Sequence, residues 1–242
     1  MIKKESINLL VLLLLTISSF SQFAFAQNTI STEELIGKGN PKLFGKDYKL
    51  REEAYIAFKK MQAAALKSNI TIGIASSYRS FAHQKRIWER KFNRNKSKGL
   101  SGKENIKKII EYSTIPGTSR HHWGTDIDIY QTNVKQPNGI LQTKNYHENG
   151  VFYKLKKWMD ANSEQFGFYL VYTNSSNRKG FKYEPWHYTY KPLSLQYLKK
   201  YQEINISELL KKDKLTGSSN FSEEFINQYT KENILDINPE LL

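Results

Sequence analysis

"SRHHWGTDIDIY", residues 119–130, places two histidines and two aspartates within eight positions around one glycine, then alternates polar with apolar residues. Successive side chains of a strand point to opposite faces. Thr125, Ile127 and Ile129 therefore share one face, and Asp126, Asp128 and Tyr130 the other. Gly124 lets the chain turn tightly from loop into strand, so His121 and Asp128 can converge on one point. A catalytic zinc takes three protein ligands from such residues and keeps a fourth position open. A plain polar turn entering a strand would use the same residue types, so the decision rests on the remainder of the chain.

A second stretch, "YEPWHY" at 183–188, sets Glu184 three residues before His187 at the end of a predicted strand. Pro185 stiffens the step between them and Trp186 packs it. A carboxylate so held suits a base beside a metal-bound water, with His187 completing the ligand set. A third stretch, "SSYRSFAHQ" at 76–84, puts Arg79 at the turn after a buried strand and Gln84 in the helix that follows. The guanidinium is a planar fork matched to a carboxylate, as an enzyme working at a peptide C-terminus requires.

Together the three stretches resemble the VanY-type D-alanyl-D-alanine carboxypeptidases, zinc peptidases related by fold to the Hedgehog signalling domain. Their Ser-x-His-x-x-Gly-x-Ala-x-Asp pattern falls on Ser119, His121, Gly124, Asp126 and Asp128, with Asp126 where the family usually has a small apolar residue. Glu-x-Trp-His falls on Glu184, Trp186 and His187; Ser-x-Tyr-Arg-Ser…Gln falls on Ser76, Tyr78, Arg79, Ser80 and Gln84. The resemblance spans roughly residues 50–202.

It implies an α+β fold, Hedgehog/DD-peptidase-like, with a small, mostly antiparallel sheet flanked by helices. It also implies Zn2+ held by His121, Asp128 and His187, with Glu184 moving the proton. Arg79 would stabilise the carbonyl oxygen or grip the substrate, and Ser119 and Gln84 would orient it. The implied substrate is a peptidoglycan stem peptide ending in D-alanyl-D-alanine; an L,D bond or an internal cross-link would use the same metal site. A non-catalytic, zinc-containing wall-binding module is the reading from another class, and Glu184 argues against it. Asp126 is a support for the ligands, an added polar contact with substrate, or a rival to Asp128. His122 is read as a support or a surface residue, and His83 and His147 sit in no ligand spacing.

Composition narrows the setting. The chain has 242 residues, a formal net charge of +14 and no cysteine. Disulfides, thiolate catalysis, cysteine-ligated zinc and a lipoprotein anchor are thereby excluded. Lys3 and Lys4, the apolar run Leu9–Ile17 and Ala24-Phe25-Ala26 have the form of a secretory signal peptide over residues 1–26, so an exported, periplasmic or secreted protein is expected. A basic exported chain points to an anionic envelope partner; no nucleic-acid motif is present.

The pattern further predicts an extended lead-in over 27–47, a folded domain over 48–203, which the resemblance implies is the zinc peptidase domain, and a polar C-terminal extension over 204–242 with one or two short helices. Within the domain, helices are expected over 48–66, 81–92, 104–112, 152–162 and 193–201, with a loop over 94–103 and a polar loop over 132–149. Two aromatic strands, 166–173 and 180–190, would be joined by a hairpin-like turn at 174–180. Helices and strands mix without regular βαβ alternation, which also favours α+β.

Overall fold

Four short antiparallel strands, in the spatial order β1-β2-β4-β3, form the sheet on which the rest is built. They are β1 (Ile72–Ser76), β2 (Asp126–Gln131), β3 (Phe168–Leu170) and β4 (His187–Tyr190). The computed structural model describes residues 30–242; the signal peptide expected over 1–26 lies outside the described residues. Residues 31–242 pack as one compact unit, so the α+β expectation holds and the C-terminal extension belongs to the same body.

One face of the sheet is apolar. Ile127, Ile129 and Tyr188 join Phe58 and Met61 of α2 (Glu52–Leu66), Leu155 and Met159 of α5 (Tyr153–Asn162), and Phe168 in one buried cluster. In α2 the buried positions Ala54, Phe58, Met61 and Ala65 recur every three or four residues, as one helix face demands. Before α2, the expected extended lead-in contains the single helical turn α1 (Thr32–Leu35). Arg51 then ties this region to the loop before β2, donating to Glu34 Oε2 at 2.7 Å and to the Trp123 carbonyl at 3.0 Å.

Helix α3 (Phe81–Lys96) starts where Ser80 Oγ accepts the His83 N–H, and α4 (Gly102–Ile109) follows closely. The predicted loop over 94–103 thus shrinks to a tight turn. Fully buried Asn105 explains it: its amide donates to the Phe92 carbonyl at 2.9 Å and accepts from Asn95 at 3.0 Å. Residues 132–149 are likewise more ordered than their polarity suggests, because Tyr146 is fully buried and donates to the Ile129 carbonyl at 2.7 Å.

Strands β3 and β4 pair as predicted, but no hairpin joins them. Residues 171–186 form a long irregular connection held by Arg178, whose guanidinium donates to the carbonyls of Thr173, Phe181 and Asp236. Three carbonyls satisfied by one side chain lessen the need for a ladder there. Beyond α6 (Lys191–Tyr201), the extension adds α7 (Ile206–Lys212) and α8 (Glu223–Tyr229). It is not simply polar: Leu209, Leu210, Ile226, Tyr229 and Leu241 are buried.

Candidate metal centre and active site

Strand register brings the first two candidate ligands together. Asp128 of β2 and His187 of β4 are direct cross-strand partners, and Asp126 faces Thr189 two positions away on the same side. His121 arrives from the 3-10 turn Arg120–Trp123, which closes at Gly124 in the left-handed region (φ 72°). A Cβ at Gly124 would lie 2.9 Å from Leu43 Cδ2, so both conformation and space call for glycine. One donor atom each of His121, Asp128 and His187 lies within 4.8 Å of the others, and all three residues are buried.

Hydrogen bonds orient both rings. His121 Nδ1 donates to the Ser77 carbonyl at 2.7 Å, leaving Nε2 as the free donor atom, 3.3 Å from Asp128 Oδ2. His187 Nε2 lies 2.9 Å from Asp126 Oδ2, which turns Nδ1 toward Glu184 Oε2 at 3.1 Å and Asp128 Oδ1 at 3.5 Å. His121 Nε2 and Asp128 Oδ1 are buried without a hydrogen-bond partner. Buried polar atoms are seldom left so, and two imidazoles with one carboxylate make a donor set that zinc accepts. The residues fit a small divalent cation.

Asp126 is fully buried and supports the set. Its Oδ2 accepts from Arg120 Nε at 3.0 Å, while Oδ1 accepts from the Thr125 and Thr189 hydroxyls at 2.7 and 2.5 Å. Burial opposes its charge, but Arg120 and His187 hold its carboxyl well below the usual range. Burial raises Glu184 above an ordinary carboxylate despite the pull of His187 and Arg79. His121 is pushed down to about 4, first by burial and then by Arg79.

The chain's comparisons with known proteins bear on this arrangement. A family model described as VanY, D-alanyl-D-alanine carboxypeptidase, matches residues 47–193. The chain belongs to the VanY family. A D-alanyl-D-alanine carboxypeptidase of Enterococcus faecalis is 31% identical over 118 residues, 48% of this chain and 39% of that protein. An uncharacterized Haemophilus influenzae protein is 35% identical over 82 residues, 33% of this chain and 63% of its own length. The chain thus matches less than two thirds of either relative. Among solved structures, a mutant of the vancomycin-resistance D,D-pentapeptidase VanY in complex with Zn(II) superposes with a TM-score of 0.52 at 23% identity, covering 68% of this chain and 85% of that one. VanYB in complex with D-alanine-D-alanine gives 0.52 at 22% identity, covering 73% and 92%. These two support the VanY-family fold.

Within the VanY-family frame, the remaining sequence expectations divide. Glu184 sits not at a strand end but in the irregular run before β4, where its carbonyl accepts the His187 N–H at 3.0 Å. Arg79 lies beside the ligands, Nη2 3.6 Å from Asp128 Oδ2, and Ser119 lines the same narrow pocket as Glu184 and His187. Gln84 requires a correction as a substrate-orienting residue. It is fully buried, accepts from Arg79 Nη1 at 2.8 Å and donates to the Thr114 carbonyl at 2.9 Å, so it acts only through Arg79.

His122 is a support and not a surface residue: Nδ1 lies 2.5 Å from the Arg79 carbonyl, and Nε2 accepts the Gly117 N–H at 3.2 Å. Burial pushes it down to about 3, as this neutral clamp requires. His147 is exposed, whereas His83 lines the open cleft beside the ligands. Sequence reasoning missed Arg120 and Thr189. Thr189 was within reach of strand alternation, since it follows His187 by two, whereas Arg120 sits in the 3-10 turn and gave no such signal.

Proposed function

We propose that this chain is an exported, zinc-dependent carboxypeptidase that hydrolyses the D-alanyl-D-alanine end of peptidoglycan stem peptides. The observation that carries the reading is a three-residue ligand set with a buried, elevated carboxylic acid, Glu184, touching one ligand and lining a cleft. A purely structural metal site has no use for such a base. Family membership and the Zn(II) complex of the VanY neighbour support it, and the apolar run at 9–17 followed by Ala24-Phe25-Ala26 supports export.

His121, Asp128 and His187 would hold the metal. When bound, zinc supplies Lewis-acid polarisation of the scissile carbonyl and lowers the pKa of water from 15.7 to about 7. Glu184 removes the water's proton and delivers it to the leaving amine; its raised pKa brings base and acid forms closer in energy. Arg79, clamped by Gln84 and set against Asp128, stabilises the charge that develops on the carbonyl oxygen. Of its two expected roles, its place beside the ligands favours this one over gripping the substrate. Ser119, Tyr112 and Ser113 line the narrow pocket beside them and would position the peptide.

The test is incubation of the mature protein with stem pentapeptide and whole peptidoglycan, read by mass spectrometry beside Glu184→Gln. Loss of one alanine with the wild type alone is expected. Larger fragments would make the chain an endopeptidase, and no products from either protein would leave a wall-binding module.

A further inference from the structure

Beside the ligand set opens a cleft of about 680 Å3, ample for several residues of a peptide. Asp128, Glu184 and Trp186 line it, and α3 contributes His83, Arg90 and Lys91 to its wall. That wall is cationic and uncompensated. Among the described residues, Lys85–Glu89 is the ion pair made by the basic side chains of α3; neither Arg90 nor Lys91 has a carboxylate within ion-pair reach. Arg90 is exposed, but Lys91 is half-buried.

A lysine that is half-buried against the cleft without an ion-pair partner carries a desolvation cost. Burial accordingly lowers the Lys91 pKa, with the charge of Glu184 acting the other way. Arg79 also lines the cleft, but its guanidinium is engaged by Gln84 at 2.8 Å and by Asp128 at 3.6 Å, at the end next to the ligand set.

We propose that Lys91, with Arg90 beside it, is a carboxylate-binding position of the cleft, selecting peptides that carry an anionic group. This rests on the peptidase reading for the identity of the ligand, though not on catalysis. The carboxylate comes from one of two sources: the C-terminus of the departing residue, or a side chain on the acyl side of the scissile bond.

The experiment measures binding, by calorimetry, to zinc-loaded Glu184→Gln protein with and without Lys91→Met or Lys91→Arg. Four synthetic peptides ending in D-alanyl-D-alanine are used, with glutamate or glutamine on the acyl side and a free or amidated C-terminus. The expected result is that Lys91→Met weakens one carboxylate-bearing peptide about tenfold, leaves its uncharged counterpart within about twofold, and is rescued by Lys91→Arg. The peptide affected identifies the source. Equal weakening of acid and amide, or no weakening, overturns the proposal even if the wild type hydrolyses them all. A Lys91-dependent preference without any wild-type hydrolysis sustains this position and sinks the peptidase reading. Failure of all four peptides to bind sinks both.

Discussion

His187 Nε2 meets Asp126 Oδ2 at 2.9 Å, on the edge of the ring away from Glu184 and Asp128. A metal-ligating histidine whose second N–H is held by a carboxylate has its tautomer and orientation fixed, and loss of such a partner typically costs 10–100-fold in metal affinity. Asp126→Asn keeps the shape and should weaken zinc binding by about that factor. Asp128→Asn, which removes a direct ligand, should weaken it far more. Competition against a chromophoric chelator measures both, and equal losses would mean that Asp126 is itself a ligand. Asp126→Ala is a poorer test, because stranding buried Arg120 costs on the order of 3–5 kcal/mol.

Glu184 separates metal binding from chemistry. Its replacement by glutamine keeps the volume and removes the base, so turnover should fall by about 10²–10⁴. Zinc content and melting temperature should stay close to wild type. An active Glu184→Gln enzyme would require another base.

Protonation gives a third handle. With zinc stripped, burial alone would lower His187, but its hydrogen bonds to Asp126 and Glu184 and the nearby Asp128 charge raise it to about 9. Below that value the ring is cationic and its Nδ1 carries a proton that the metal must displace. Apparent zinc affinity should therefore climb with pH, by up to ~10-fold per unit, and level off above about 9. His121, already neutral above about 4, adds nothing in that range. Calorimetry at pH 7 in two buffers of different ionisation enthalpy should count close to one proton released per zinc; none released refutes the assignment.

How much of this was written in the sequence depends on the range of the interaction. The alternation of "TDIDIY" placed Asp126 and Asp128 on one face and Ile127 and Ile129 on the other, because strand parity is local. Their pairing with His187 and Thr189 needed register between segments about sixty residues apart, which only motif order hinted at. Gln84 looked like a substrate residue because a polar side chain near a site reads the same whether it faces the cleft or lies beneath it. The aromatic run over 180–186 looked like strand because nothing local reveals that Arg178 and the carbonyl of Asp236 stand in for a ladder.

The C-terminal extension was the least legible part, and its contacts yield the last prediction. Tyr229 accepts the Ile115 N–H at 3.1 Å and pairs with Thr118 Oγ1 at 2.8 Å, in the loop that leads to Ser119 and His121. Asp236 Oδ2 accepts the backbone N–H groups of Lys179 and Gly180 at 2.6 and 3.0 Å, in the loop that leads to Glu184. A Cβ at Gly180 would lie 1.6 Å from the Glu232 carbonyl oxygen, so loop and extension touch backbone to backbone. The extension therefore braces both approaches to the site. Tyr229→Phe leaves a buried N–H unpaired, at a cost of about 1–3 kcal/mol. For a chain of this size, each kcal/mol lowers the melting temperature by about 2–4 °C. His121 is held separately by its bond to the Ser77 carbonyl, so zinc affinity should change little while KM rises as the loop carrying Ser119 loosens. A variant with lower stability and unaltered KM would reduce the extension to a packing role.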